Sequence, residues 1–221
     1  MRPDPPHPTK EVRVSKSRLE AFSDGVVAIL ITIMVLELKV PQGADLQALL
    51  PLGPVFLSYV LSFVNLGIYW NNHHHLLQAT KVVDGRVLWA NLHLLFWLSL
   101  FPFGTAWMGE NSFASIPTAA YGAVLLLAAL AYFILVRALI ACKGQSPALA
   151  AAVGSDRKGK VSPLIYAIAL VVAFVVPAVA FALYVLVAVI WFVPDRRIER
   201  TLAPVTPIPS VEDPGAGSDR R

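Results

Sequence analysis

Arg18-Leu19-Glu20-Ala21-Phe22-Ser23-Asp24-Gly25-Val26-Val27-Ala28-Ile29-Leu30-Ile31-Thr32-Ile33-Met34-Val35-Leu36-Glu37-Leu38-Lys39 is the stretch on which the fold turns. Between residues 22 and 38 only Ser23, Asp24, Thr32 and Glu37 interrupt an apolar run. As helix, the stretch is about 33 Å long at 1.5 Å per residue, enough to cross the ~30 Å hydrocarbon core of a bilayer. The rest of the chain has the same character. Of 221 residues, 57% are hydrophobic and 14% charged, and mean hydropathy is +0.65. A soluble domain carries about 25% charged residues. This chain cannot clothe itself for water, which argues against a soluble enzyme, a nucleic-acid-binding module or a secreted scaffold. The single cysteine, Cys142, excludes an internal disulfide framework and a cysteine-rich metal cluster.

Further apolar stretches lie at residues 52–76, 87–108 and 119–141. Each has about the 17–25 residues that a span requires. Residues 163–193 are too many for one span and too few for two comfortable ones, and Pro177 near their middle breaks a helix. Charge decides between five spans and six, because flanking Lys and Arg favour the cytoplasmic side. Six spans with both termini inside place 17 of the 18 basic residues there and leave only Lys39 outside; five would strand the cluster at Arg196, Arg197 and Arg200. The last two spans are therefore expected as a short hairpin bent near Pro177, without full membrane thickness. The Pro-rich ends, 1–16 and 199–221, read as disordered cytoplasmic tails around a six-helix membrane domain at 17–198. A polar tail before the first apolar run does not look like a cleavable signal peptide. The basic pI near 9.3 is then a topology signal and a possible headgroup contact, not a nucleic-acid footprint.

Ser17-Arg18-Leu19-Glu20 has the spacing of a capping box, with Ser17 as cap and Glu20 reaching back. Asp24 then falls inside the helix. An acid there is either an interfacial charge helped by the helix dipole or half of a pair that holds this helix to a neighbour. At 100° per residue, Phe22, Ile33 and Leu36 lie within about 40° of Ile29, Thr32 is about 60° off, and Asp24 is about 140° away. Phase alone leaves open whether the Ile29 stripe faces lipid, packed core or a pore.

Arg18-x-x-x-Phe22-Ser23-Asp24, followed by Gly25-Val26-Val27-Ala28-Ile29, resembles the signature of the transmembrane protein 175 family, the endolysosomal and prokaryotic potassium channels. Tyr69-Trp70-x-x-His73-His74, Asn91-Leu92 through Phe96-Trp97 with Pro102-Phe103, and Trp191 with Pro194-Asp195-Arg196-Arg197 support the likeness. It covers residues 17–198. The resemblance implies an all-α integral membrane protein with six transmembrane helices per subunit, and a homotetrameric pore lined by the first helix. It further implies that Ile29 and Leu36 narrow the pore, that Ile33 contributes, and that Thr32 forms a polar layer involved in potassium preference. Arg18, Phe22, Ser23, Asp24 and Trp70, with one of His73 and His74, would form a network bracing the pore helix. A single repeat implies a prokaryotic plasma membrane.

No Thr-Val-Gly-Tyr-Gly segment occurs, so no carbonyl filter of the usual kind is expected. Four aliphatic side chains in a narrow ring gate by dewetting. In a wider ring they favour potassium, which sheds water more cheaply than sodium, and selectivity is moderate. His73, His74 and His75 point 100° apart on a helix, so they do not chelate one metal as an i, i+4 pair does. His93 reads as a packing residue. Trp89, Trp97 and Trp107 read as interfacial anchors or packing, and Asn65, Asn71, Asn72 and Asn91 as interhelical hydrogen-bonding groups. No nucleophile elbow, Walker loop or His-Glu-x-x-His motif appears, so no enzyme is expected. The expected partners are K+ ions and membrane lipids, with no cofactor, resident metal or nucleic acid. The rival functions are a proton channel or proton-coupled transporter relaying through Asp24 and a second-span histidine, and a non-conducting scaffold.

Overall fold

Four stretches of the computed structural model, Lys16–Leu36, Leu46–Gln78, Gly85–Glu110 and Ser115–Ala141, are long and apolar enough to cross a membrane. The structure describes residues 15–145 and 157–192. Every regular element among them is helical. They are α1 (Lys16–Leu36), α2 (Gly53–Gln78), α3 (Gly85–Ser99), α4 (Phe101–Glu110), α5 (Ser115–Ala141), α6 (Arg157–Val172) and α7 (Pro177–Phe192). Counting α3 and α4 as one bent span gives the six expected. Most of the two tails and the Pro194-Asp195-Arg196-Arg197 motif lie outside the described residues.

Local chemistry explains most of the boundaries. Asp45 accepts from the Ala48 N–H at 3.0 Å and starts a 3-10 turn over Leu46–Leu52, which leads into α2. Asp84 caps α3 by accepting from the N–H groups of Arg86 and Val87, both at 3.0 Å. Pro102 has no N–H to offer the preceding turn, and the span bends between α3 and α4. Pro177 does not break a helix from within. It opens α7, where its missing N–H costs nothing, after a turn over residues 173–176. At 1.5 Å per residue α6 and α7 are each about 24 Å long, shorter than the ~30 Å core. The capping box is not formed. Ser15 takes the N-cap position without a side-chain cap, and its Oγ lies 2.6 Å from that of Ser17. Glu20, half-buried, turns instead to His74 on α2, 3.3 Å from its Nδ1.

The core lies along α5, whose Leu125, Ala128, Ala131, Leu135 and Leu139 are fully buried. α3 packs on one side of it and α6 on another. α2 and α4 approach so closely that a Cβ on Gly109 would fall onto Ser58 Oγ and lie 2.8 Å from Val55 Cα. Backbone cannot yield as a side-chain tip can. Gly109→Ala is expected to lower the stability of the detergent-solubilised protein by about 1–3 kcal/mol, read as a fall in Tm. Gly67→Ala, with nothing within 4 Å of its added methyl, should leave Tm unchanged or raise it.

Charge divides the bundle. Lys16 Nζ reaches the Gln78 carbonyl at 3.4 Å, and Gln145 bridges the α2–α3 connection by accepting from the Lys81 N–H and donating to the Val82 carbonyl. These bonds gather the α1 start, the α2 end, the α3 start and the α5 end. Lys16, Arg18, Lys81, Arg86, Arg137 and Lys143 all belong to this basic end. At the opposite end, Lys39 pairs with Glu110 at 2.7 Å. The Glu110 hydrogen bond raises the Lys39 pKa above its ordinary value, but the exposed pair contributes little stability.

Candidate functional site on the first helix

The first helix has two faces. Leu19, Ser23, Val27, Leu30 and Met34 are buried against α2, α3 and α4. On the other side Phe22, Ile29, Ile33 and Leu36 are exposed, Ile29 by 57% and Leu36 by 80%. Thr32 is exposed among them. Its Oγ1 hydrogen is shared between the carbonyls of Ala28 (2.8 Å) and Ile29 (2.9 Å). With that hydrogen committed to the helix, the oxygen's remaining lone pair is what Thr32 can offer outward.

Behind this face the network residues fall into two strings rather than one. In the buried string, His73 Nε2 lies 2.7 Å from Asn91 Oδ1, Asn91 Nδ2 donates to Ser23 Oγ at 2.9 Å, and Ser23 donates to the Leu19 carbonyl at 2.9 Å. An amide oxygen only accepts, so the His73 proton sits on Nε2. Three helices, α2, α3 and α1, are thereby joined through groups that are each at least 95% buried.

The outer string runs along the flank. Trp70 Nε1 donates to Asp24 Oδ1 at 3.0 Å. The indole stacks on His74 with ring centres 5.9 Å apart. His74 Nδ1 lies 3.3 Å from Glu20, while its Nε2 meets Gln78 Nε2 at 2.8 Å. Gln78 Nε2 and the Glu20 carboxylate hold the two ring nitrogens of His74 from opposite sides. Both candidate histidines are thus engaged, in different strings. Arg18 is exposed, and its side chain makes no hydrogen bond or ion pair among the described residues. Phe22 lies on the exposed face, outside both strings.

Sequence reasoning did not foresee Asn91 as the junction or Glu20 as a histidine partner. It also missed a buried hydroxyl knot in which Ser62 Oγ meets Thr105 Oγ1 at 2.5 Å and Tyr121 Oη at 2.8 Å, while Thr105 donates to the Phe101 carbonyl. The available signal was polar side chains inside apolar spans, each needing a partner away from water. His73, His74 and His75 do not converge, and the described residues hold no cluster of three or more metal-ligating side chains. His93 accepts from Trp97 Nε1 at 2.9 Å.

The family model described as endosomal/lysosomal potassium channel TMEM175 matches residues 18–102, the part that carries both strings. A potassium channel of Chryseobacterium sp. (strain P1-3) is 52% identical over 189 residues, covering 86% of this chain and 98% of that one. The endosomal/lysosomal proton channel TMEM175 of Gallus gallus is 43% identical over 81 residues, which are 31% of this chain and 16% of that one. The crystal structure of a lysosomal potassium-selective channel TMEM175 homolog from Chamaesiphon minutus aligns with a TM-score of 0.69 at 26% identity, covering 80% of this chain and 96% of that one. With its membrane helices, its shared fold and a relative matched almost end to end, this chain belongs to the TMEM175 channel family.

Proposed function

We propose that four copies of this chain surround a pore that passes K+ passively, in a prokaryotic plasma membrane with both termini cytoplasmic. α1 lines the pore, Ile29, Ile33 and Leu36 constrict it, and Thr32 supplies a polar layer. The observation that carries this reading is the unpacked aliphatic face of α1, with one hydroxyl set among its branched side chains. Four such faces around an axis leave a cation no carbonyl cage. Discrimination then rests on how readily the ion sheds water, with partial replacement by four Thr32 oxygens, and selectivity is moderate. The Trp70–Asp24 and His73–Asn91–Ser23 strings brace the helix that carries the ring.

The potassium-channel relatives support the choice of ion, and the proton-channel relatives keep the alternative in view. A relay through Asp24 is less well served by the geometry. Its partner is an indole N–H, which donates but cannot accept a proton. Reconstituted liposomes separate the readings. K+ flux should persist at constant pH without a proton gradient, and Thr32→Ala should lower the potassium-to-sodium permeability ratio severalfold. A strict need for a proton gradient would support coupling, and absence of flux would support a scaffold.

A further inference from the structure

A cavity of about 140 Å³ lies between α2, α5, α6 and α7 at the basic end of the bundle, away from α1. One water needs only ~10–15 Å³ of such space, so the cavity is sized for a larger guest. Its walls are chiefly apolar and aromatic, with Ile68 from α2, Phe133 and Val136 from α5, Tyr166 from α6 and Trp191 from α7. Two cationic side chains also line it, Arg137 near the end of α5 and Lys160 in the first turn of α6, where the helix dipole adds positive potential.

No Asp or Glu is among the lining residues. Among the described residues, the acids of the basic end are engaged elsewhere: Glu20 with His74, Asp24 with Trp70 and Asp84 at the α3 cap. Two cations beside a low-dielectric hollow therefore lack a carboxylate counter-ion among the described residues. Next to the site the outer faces of α5 and α6 are apolar and exposed at Leu130, Ile134 and Leu164. A guest must combine negative charge with hydrocarbon.

We propose that this cavity binds an anionic phospholipid, its phosphate held between Arg137 and Lys160 and its first methylenes seated among the aromatic walls. Basic pockets between membrane helices suit such headgroups. A small soluble anion would leave the apolar walls empty, and a neutral lipid would leave the two charges uncompensated. The site is independent of the ion that the pore conducts.

Native mass spectrometry of the purified full-length protein tests this, with dioleoyl phosphatidylglycerol and dioleoyl phosphatidylcholine as competing probes. The wild-type protein should retain the anionic lipid in preference to the zwitterionic one. Arg137→Gln with Lys160→Gln should weaken that retention about thirtyfold, from ~1 kcal/mol per basic side chain. Ala129→Trp, which fills the cavity and leaves both charges in place, should abolish the preference as well. If the double variant does not fold, Ala129→Trp and the wild-type lipid preference decide the matter. Equal retention of the two lipids, undiminished binding by either folded variant, or displacement of the lipid by millimolar inorganic phosphate would overturn the proposal. So would a helix of a neighbouring copy found in the cavity.

Discussion

Replacing Ile29 and Leu36 together by Asn is expected to raise K+ flux through reconstituted channels by at least about tenfold and to bring the potassium-to-sodium permeability ratio close to one. The reason is the wetting of the ring. Both side chains stand exposed on the unpacked face of α1, so asparagine there disturbs no core contact. In the proposed tetrameric pore, four amides at each level would give water and ions hydrogen-bonding partners where the aliphatic ring offers only methyl groups, and a ring that gates by dewetting would then stay wet. A fall of only ~1.4 kcal/mol in the permeation barrier is tenfold in rate. Selectivity falls because sodium no longer has to shed water at the ring. Ordinary flux and ordinary selectivity in a folded Ile29→Asn/Leu36→Asn protein would remove these residues from the pore.

The second large effect is expected at Asn91, which the sequence motif did not single out as a junction. Asn91→Leu leaves the His73 N–H without its acceptor and Ser23 Oγ without its donor, both in a buried setting. Stranding a buried polar group costs about 1–3 kcal/mol. Hydrogen bonds between membrane helices have a modest measured worth of about 0.6 kcal/mol, which sets a lower level for an intact pair exchanged against lipid. The substitution strands the His73 N–H and removes one partner of Ser23 Oγ, which still donates to the Leu19 carbonyl, so a loss of about 2 kcal/mol in stability is expected, read as a fall in the Tm of the solubilised protein, with K+ flux reduced as α1 loosens. The apolar triple variant Ser23→Ala/Asn91→Leu/His73→Phe strands neither group and should be more stable than Asn91→Leu alone. If the triple variant is the less stable of the two, the string contributes through shape and not through polar satisfaction.

The gross architecture was legible in the sequence because a bilayer imposes a length on every apolar run and a sidedness on every basic cluster. The spans and the short terminal hairpin follow from those two constraints, and the common phase of Ile29, Ile33 and Leu36 from the 100° step of a helix. The capping box failed because Ser-x-x-Glu spacing reports only what Glu20 can reach along its own helix. It says nothing of His74 on the next one. The same limitation hid the role of Asn91. Its partners lie 18 and 68 residues away, a pairing fixed by how α3 rotates against α1 and α2. Two adjacent histidines were read as competitors for one place, whereas a 100° step between neighbours gave each a different string. Arg18 stands exposed within one chain, outside both strings.

The most direct measurement places a single cysteine on the face in question and asks whether water and permeating ions meet it. In a Cys142→Ser background, Ile29→Cys or Leu36→Cys is treated with a charged, water-soluble thiol reagent while K+ flux is recorded, with Ile168→Cys on the exposed side of α6 as the comparison. Modification at either α1 position should cut flux severely, and the same treatment at Ile168→Cys should leave it unchanged. If the α1 cysteines resist the reagent, or react with no effect on conduction, the first helix turns that face to lipid and the pore lies elsewhere.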